Sequence, residues 1–363
     1  MDLSVDERVS AGAAPIQFQR EQFQFKGSAA EYFRIWIINL SLTIVTLGIY
    51  SAWAKVRKNR YIYGNLELAG SHFDYLAKPM VILRGRLIAL ALLAAYLVSQ
   101  AFFPPLSVIF FLVLGISTPW LIVRSRMFNM RYTSYRNIRF SFKRAYGDAY
   151  NVIFGYGALS MVTLGLAVPY AHFQRNRMIV DNIRFGNLGF GLNKIGKKFY
   201  TAYLLGALLG LGLIILFGIY RSNAGLAVPD DAETASMVSV LLPVALLLLL
   251  YYVVGQFINA YVLRATTNNT WIVNEEEDVV GHKLGCDWSL SGMLGIYLTN
   301  IIAISLSLGL LIPWAQMRIL RYQLNHTWVD LSGSLDDVVA GQIDAVSSLG
   351  EEIGDVFDVD IGL

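Results

Sequence analysis

Cysteine is almost missing from this chain: Cys286 is the only one in 363 residues. That excludes an intrachain disulfide, a four-thiolate metal site and a Cys-x-x-Cys redox couple. Charge is scarce as well, with Asp, Glu, Lys and Arg at 15% against 55% hydrophobic residues and a mean hydropathy of +0.50. Such a balance excludes an ordinary soluble domain and points to an integral membrane protein. The four histidines, His72, His172, His282 and His326, form no His-Glu-x-x-His or other recognised ligand spacing. Neither Gly-x-Ser-x-Gly nor Gly-x-x-x-x-Gly-Lys-Ser/Thr occurs. No catalytic residue, metal or cofactor is nominated, and a non-enzymatic protein is expected. The first 22 residues are polar, without an apolar core followed by a small-residue cleavage site, so no removable signal peptide is expected.

What the chain has in abundance is long apolar sequence. Seven runs stand out: 32–52, 87–103, 106–123, 150–170, 199–220, 237–262 and 290–314. A helix crosses a bilayer with roughly 20 such residues, and most of the seven are long enough. A basic body carries an acidic tail: nine carboxylates and no Lys or Arg lie between Tyr322 and Leu363, although the whole chain is +3. Solvation of the terminus is the simpler role for that tail, and folding back on the basic loops is the alternative.

One block recurs three times. Thr46-Leu47-Gly48 leads to Trp53-Ala54-Lys55 and Asn59-Arg60; Thr163-Leu164-Gly165, 117 positions on, leads to Tyr170-Ala171-His172 and Asn176-Arg177; Leu308-Gly309 leads to Trp314-Ala315-Gln316 and Arg321. The register also pairs Phe25 with Phe142, Asn65 with Asn182 and Phe73 with Phe190, so the chain is built by triplication. Between copies lie apolar hairpins, one turning at Phe103-Pro104-Pro105 and one at 221–236. Short alternating stretches flank each block and read as strands: 23–25 with 65–68, 138–142 with 183–185, and 270–273 with 327–331.

Seven full crossings would put the two strands of each block on opposite sides of the membrane. The charges object: Lys55, Arg57, Lys58, Arg60, Arg84 and Arg86 follow the first block helix, and Arg124 to Arg144 and Arg175 to Lys198 flank the second. All favour the cytoplasm. In the alternative, each block helix bends at Thr-Leu-Gly and returns to the cytoplasmic face, leaving four crossing helices and three packed elbows. Hydropathy supports the first arrangement, charge the second.

The stretches Glu31-Tyr32-Phe33-Arg34-Ile35-Trp36 and Thr46 to Arg57, with the ending Leu349-Gly350-Glu351-Glu352-Ile353-Gly354-Asp355, resemble the YjgN family of bacterial inner-membrane proteins. The resemblance runs from about Phe23 to the end. It implies a multi-pass inner-membrane location and carries over no catalytic or binding residue.

Four sets of residues are singled out. Trp53, Tyr170 and Trp314, with Arg60, Arg177 and Arg321, are read first as interfacial anchors and more sharply as a pseudo-threefold ring contacting lipid phosphate or an anionic solute. Arg34, Asn39 and Asn300 are intramembrane polar candidates. For Arg34 the simpler role is snorkelling and an i,i+3 pair with Glu31; for the two asparagines it is bonding between helices. Lys55 to Tyr63 forms a basic, aromatic stretch suited to an anionic leaflet, and Ala202, Gly206 and Gly210 are spaced for close helix packing.

The expected architecture is therefore a mainly α polytopic membrane bundle with short cytoplasmic β-hairpins, three repeats joined by two transmembrane hairpins. Its segments are a polar tail (1–22), repeat 1 (23–80), a hairpin (81–124), repeat 2 (125–198), a hairpin (199–264), repeat 3 (265–331) and an acidic tail (332–363). The expected function is transport or channel-like passage of a small solute or lipid. The alternative is a scaffold that binds anionic lipid or partner proteins through a basic cytoplasmic face. Membrane lipids are the expected partners and nucleic acid is not, since the arginines hug membrane helices.

Overall fold

The computed structural model describes residues 18–224, 232–274 and 279–332. The acidic tail beyond 332, most of the polar N-terminal segment and much of the 221–236 turn lie outside them.

Among the described residues, four helices are long and apolar enough to cross a membrane: α3 (Pro79–Phe102), α4 (Pro104–Tyr132), and, within α8 (Gly196–Ala224) and α9 (Ala232–Thr267), the stretches Gly196–Ile219 and Val244–Thr267. Pro104 opens α4 at its first turn, where a missing N–H costs nothing, so α3 and α4 are separated by Phe103 alone. In α8 the small-residue stripe acts as its spacing suggests. A Cβ on Gly206 would fall 2.8 Å from Ile258 of α9, and one on Gly210 3.3 Å from Val254.

The three blocks do not cross. Each is a pair of helices folded back at an elbow: α1 (Ala29–Val45) with α2 (Ser51–Gly64), α6 (Tyr156–Val162) with α7 (Val168–Asp181), and α10 (Leu290–Leu306) with α11 (Ile312–Asn325). In the second block α5 (Tyr146–Tyr150) and a π-helical turn (Asn151–Gly155) precede α6. All three elbows share one geometry. Leu47, Leu164 and Leu308 sit at φ 49°, 49° and 50°, followed by Gly48, Gly165 and Gly309 at 92°, 92° and 91°. The glycine N–H reaches back to Thr43, Ser160 or Ile304 O at 2.7–2.8 Å, satisfying carbonyls the helix end leaves open. Thr46, Thr163 and Ser307 then accept with their hydroxyls from Tyr50, Ala167 and Leu311 N–H at 2.9–3.0 Å, starting the return helix.

Eleven strands form one antiparallel sheet. They are β1 (Gln19–Gln22), β2 (Gln24–Phe25), β3 (Leu66–Leu68), β4 (Ser71–Tyr75), β5 (Thr133–Tyr135), β6 (Ile138–Phe142), β7 (Ile183–Phe185), β8 (Leu188–Leu192), β9 (Thr270–Asn274), β10 (Val279–Cys286) and β11 (Thr327–Leu331). The order β1-β11-β10-β9-β8-β7-β6-β5-β4-β3-β2 ends on two strands that are consecutive in the chain. Only Phe23 separates them, and its N–H donates to Thr327 O at 3.0 Å, so the sheet curls into a nearly closed barrel. This corrects the expected helical bundle with separate short hairpins. The strands flanking the first two blocks do pair, β2 with β3 and β6 with β7, but in the third β11 pairs with β10 and not with β9, the strand at 270–273, and β4 with β5 and β8 with β9 join one repeat to the next. Strands of two to eight residues left as isolated hairpins would expose unpaired edges, and mutual pairing satisfies them.

Antiparallel order fixes where the helices go. Tight turns connect β3 to β4, β5 to β6 and β7 to β8, two of them with φ above zero at both central residues (Ala69-Gly70 and Arg136-Asn137). Turns at successive strands alternate between rims, so all five helical insertions rise from the opposite rim. Both ends of every helix pair therefore lie at the same rim of the barrel.

Alternating strand residues turn Leu68, Phe73, Tyr135, Phe185, Leu188, Ile272, Val329 and Leu331 to the inside of the barrel. Phe73 and Tyr135 lie 4.6 Å apart between ring centroids, and Phe140 and Phe185 4.7 Å.

Candidate functional site

The helix rim of the barrel opens into a cavity of about 680 Å³ that continues from the lumen up between α1, α2, α3 and α4. Its lower part is lined by lumen side chains such as Phe73, Phe140, Phe185 and Leu188, and its upper part by polar ones. Four cations, Lys55, Lys58, Arg86 and Arg126, line it, and among the described lining residues there is no carboxylate.

Local structure explains the arrangement. On α2, Ala52 and Val56 are buried against Ile82 of α3 and Phe128 of α4, which turns Lys55, Lys58 and Asn59 onto the neighbouring face. Arg86 stands seven positions into α3 and Arg126 six before the end of α4, each about 10 Å above the rim at 1.5 Å per residue. Arg86 donates to the Ser51 hydroxyl beside the first elbow. Asn39, Thr43 and Trp36 of α1 and Asn129 of α4 complete the upper part. The described lining is therefore cationic in its upper part and mainly aromatic and aliphatic in its lower part.

Of the aromatic, arginine and intramembrane polar candidates, all but one fall elsewhere. Asn39 lines the cavity; Trp53, Arg60, Tyr170, Arg177, Trp314, Arg321, Arg34 and Asn300 do not. The three equivalent arginines do not meet in a ring. Arg60 donates to Tyr75 and Ala77 carbonyls at 3.4 and 3.2 Å, Arg177 pairs with Asp181 at 3.1 Å, and Arg321 donates to Gly27 O at 2.7 Å. Each clips a return helix either to its own C-terminal end or to a strand linker. Trp53 stacks on Tyr50, and Tyr170 meets Tyr156 edge to face. Trp314 and Arg321 share a separate groove of about 420 Å³ with Arg318, whose guanidinium lies 5.2 Å from the Trp314 ring. Arg34 is exposed on α1, and Glu31 accepts from the Tyr61 hydroxyl at 3.1 Å instead of pairing with it.

Lys55 and Lys58 belong to the stretch read as leaflet-facing, and the structure turns part of it inward. Arg86 and Arg126 read in the sequence only as orienting charges. Their shared cavity depends on β4 pairing with β5, which brings the bases of α3 and α4 together.

Residues 20–356 match the family model described as a bacterial protein of unknown function (DUF898). The chain belongs to that family. It is 22% identical over 358 residues to "Inner membrane protein YjgN" of Escherichia coli O157:H7, covering 87% of this chain and 89% of that protein. The protein of the same name in Escherichia coli K12 is 23% identical over the same shares, and that of Salmonella typhimurium is 28% identical over 194 residues, 52% of this chain and 45% of the relative. No solved structure matches. Membership of this family, with four helices fit to span, makes the chain a multi-pass inner-membrane protein.

Proposed function

We propose that the protein binds an anionic lipid drawn from the inner leaflet, with the lipid's head among Lys55, Lys58, Arg86 and Arg126 and its apolar part directed into the barrel. The single observation that carries this reading is the cavity's polarity: four cations and no carboxylate among its described upper residues, and aromatic and aliphatic side chains below. Basic pockets between membrane helices on the cytoplasmic side suit lipid headgroups. The positive-inside rule places the barrel in the cytoplasm, since the helix bases carry the Lys and Arg. A hydrophilic solute would find few polar partners in the lumen, where apolar side chains close the path. These features favour a lipid-binding role over a solute channel.

The test is lipid retention by the purified protein in nanodiscs of neutral lipid doped with an anionic one, read by native mass spectrometry. Wild type should retain the anionic lipid, and Lys58→Gln with Arg86→Gln and Arg126→Gln should lower retention at least tenfold. Retention that ignores lipid charge, or that the triple variant leaves unchanged, would overturn the reading.

A further inference from the structure

We infer that Asn39 recognises the headgroup of the bound lipid, and that this headgroup presents a hydroxyl donor beside its phosphate. The inference rests on the lipid-binding reading above. The internal repeat supplies the reference. Asn300 holds the same place in the third block as Asn39 in the first, and both ends of its amide are used: Nδ2 donates to Ala315 O at 3.3 Å, and Oδ1 accepts from Arg318 at 3.4 Å. Asn39 makes the equivalent of the first bond, to Ala54 O at 3.5 Å. Its Oδ1 has no partner, although the residue is only 7% exposed.

The difference has a local cause. The residue equivalent to Arg318 is Arg57, which is exposed on α2 and makes no bond to Asn39. In the second block the place is filled by Tyr156, packed on Tyr170. An amide oxygen buried without a partner is unfavourable, and this one belongs to a residue that lines the cavity.

An amide oxygen accepts, so its complement is a donor. Four cations line the same cavity, and a ligand ammonium would be repelled by them, whereas a neutral hydroxyl would not. The chemistry left is a phosphate ester carrying free hydroxyls, such as a phosphoglycerol headgroup. Free glycerol phosphate shares that chemistry, but it would leave the apolar lumen unfilled, so the lipid is the source the cavity favours.

The full-length protein in phosphatidylcholine nanodiscs would be doped with phosphatidylglycerol or with phosphatidic acid of the same chains, and bound lipid counted by native mass spectrometry. Wild type should prefer phosphatidylglycerol about fivefold, the worth of one hydrogen bond. Asn39→Ala should abolish the preference, bringing the ratio of the two retained lipids to about one. Asn39→Asp keeps an acceptor and should keep the ratio while lowering total anion retention. Asn300→Ala should lower thermal stability without changing the ratio. Equal retention of the two lipids by wild type, or a preference untouched by Asn39→Ala, overturns the role of Asn39 and leaves the cavity reading standing. Failure to retain either lipid overturns the cavity reading itself. Displacement by equimolar glycerol 3-phosphate would overturn the lipid as the source.

Discussion

Phe25 and Leu66 lie opposite each other in the β2–β3 ladder, at the two ends of the whole first helical elbow. A segment whose ends pair in one sheet must leave that sheet and return to the same side. The same holds for Phe142 and Ile183 around the second elbow and for Cys286 and Thr327 around the third.

Sidedness follows. In a variant lacking Cys286, single cysteines at Ser28, Tyr63, Ser141 and Asn187 should all react with a membrane-impermeant thiol reagent only after the cytoplasmic face is opened. Labelling of Ser28 and Tyr63 from opposite sides would be incompatible with the sheet.

The elbows depend on their glycines. Gly48 has open space around it, so Gly48→Ala would meet no clash and its cost would come from the left-handed backbone alone. A loss of about 1–2 kcal/mol is expected, with similar losses at Gly165 and Gly309. Gly115→Ala, in an open position within helix α4, should be neutral or mildly stabilising. Thermal unfolding in detergent compares them. The neighbouring leucines, 94–95% exposed at all three tips, sit in the same costly conformation and present apolar surface where a bilayer would receive it.

Closure of the barrel rests on a small seam. Arg20 of β1 pairs with Asp330 of β11 at 2.8 Å and lies 4.1 Å from the Trp328 ring, whose Nε1 donates to Asp330 at 3.1 Å. The Trp328 ring covers Gly285 so closely that an added Cβ would come within 2.6 Å of it. Gly285→Ala should therefore displace the indole and destabilise the protein by about 1–3 kcal/mol. Arg20→Ala, at an exposed pair, should cost under about 1 kcal/mol. Proteolysis of the N-terminal strand would report both; equal, negligible effects would contradict the seam's packing.

The lone thiol should be inert. Cys286 is buried beside Trp288 and Met293, and burial pushes its thiol up to about 12. Native protein at neutral pH should resist maleimide, and denatured protein should react. The unfolded thiol ionises near 9 and the folded one near 12, so above pH 9 the unfolded state gives up its proton first. Stability from this group is full below pH 9 and falls as pH rises toward 12. Thermal melts of wild type and Cys286→Ala should diverge there; parallel curves would refute the shift.

Much of this protein was legible in its residues. Low charge and long apolar runs dictated a membrane protein, and the recurrence of Leu-Gly after Thr46, Thr163 and Ser307 dictated triplication and a bend, because Gly at that place permits a left-handed turn that closes a helix end. Charges around Lys55 to Arg60 and Arg124 to Arg144 argued for elbows that return, against hydropathy, which could not tell a 21-residue crossing run from two helices folded at its middle. The sheet was not legible as one body. Strands such as β2 and β5 are two and three residues long, and nothing in Thr133-Ser134-Tyr135 names Phe73-Asp74-Tyr75 as its partner. Backbone hydrogen bonds carry no side-chain code, so pairing between repeats, barrel closure and the cavity were decided by tertiary structure alone. The same is true of the three copies' divergence. Sequence set Asn39 and Asn300 at one repeat position, but only packing decided that Arg318 would satisfy one of them and that the other would face a cavity ringed by cations.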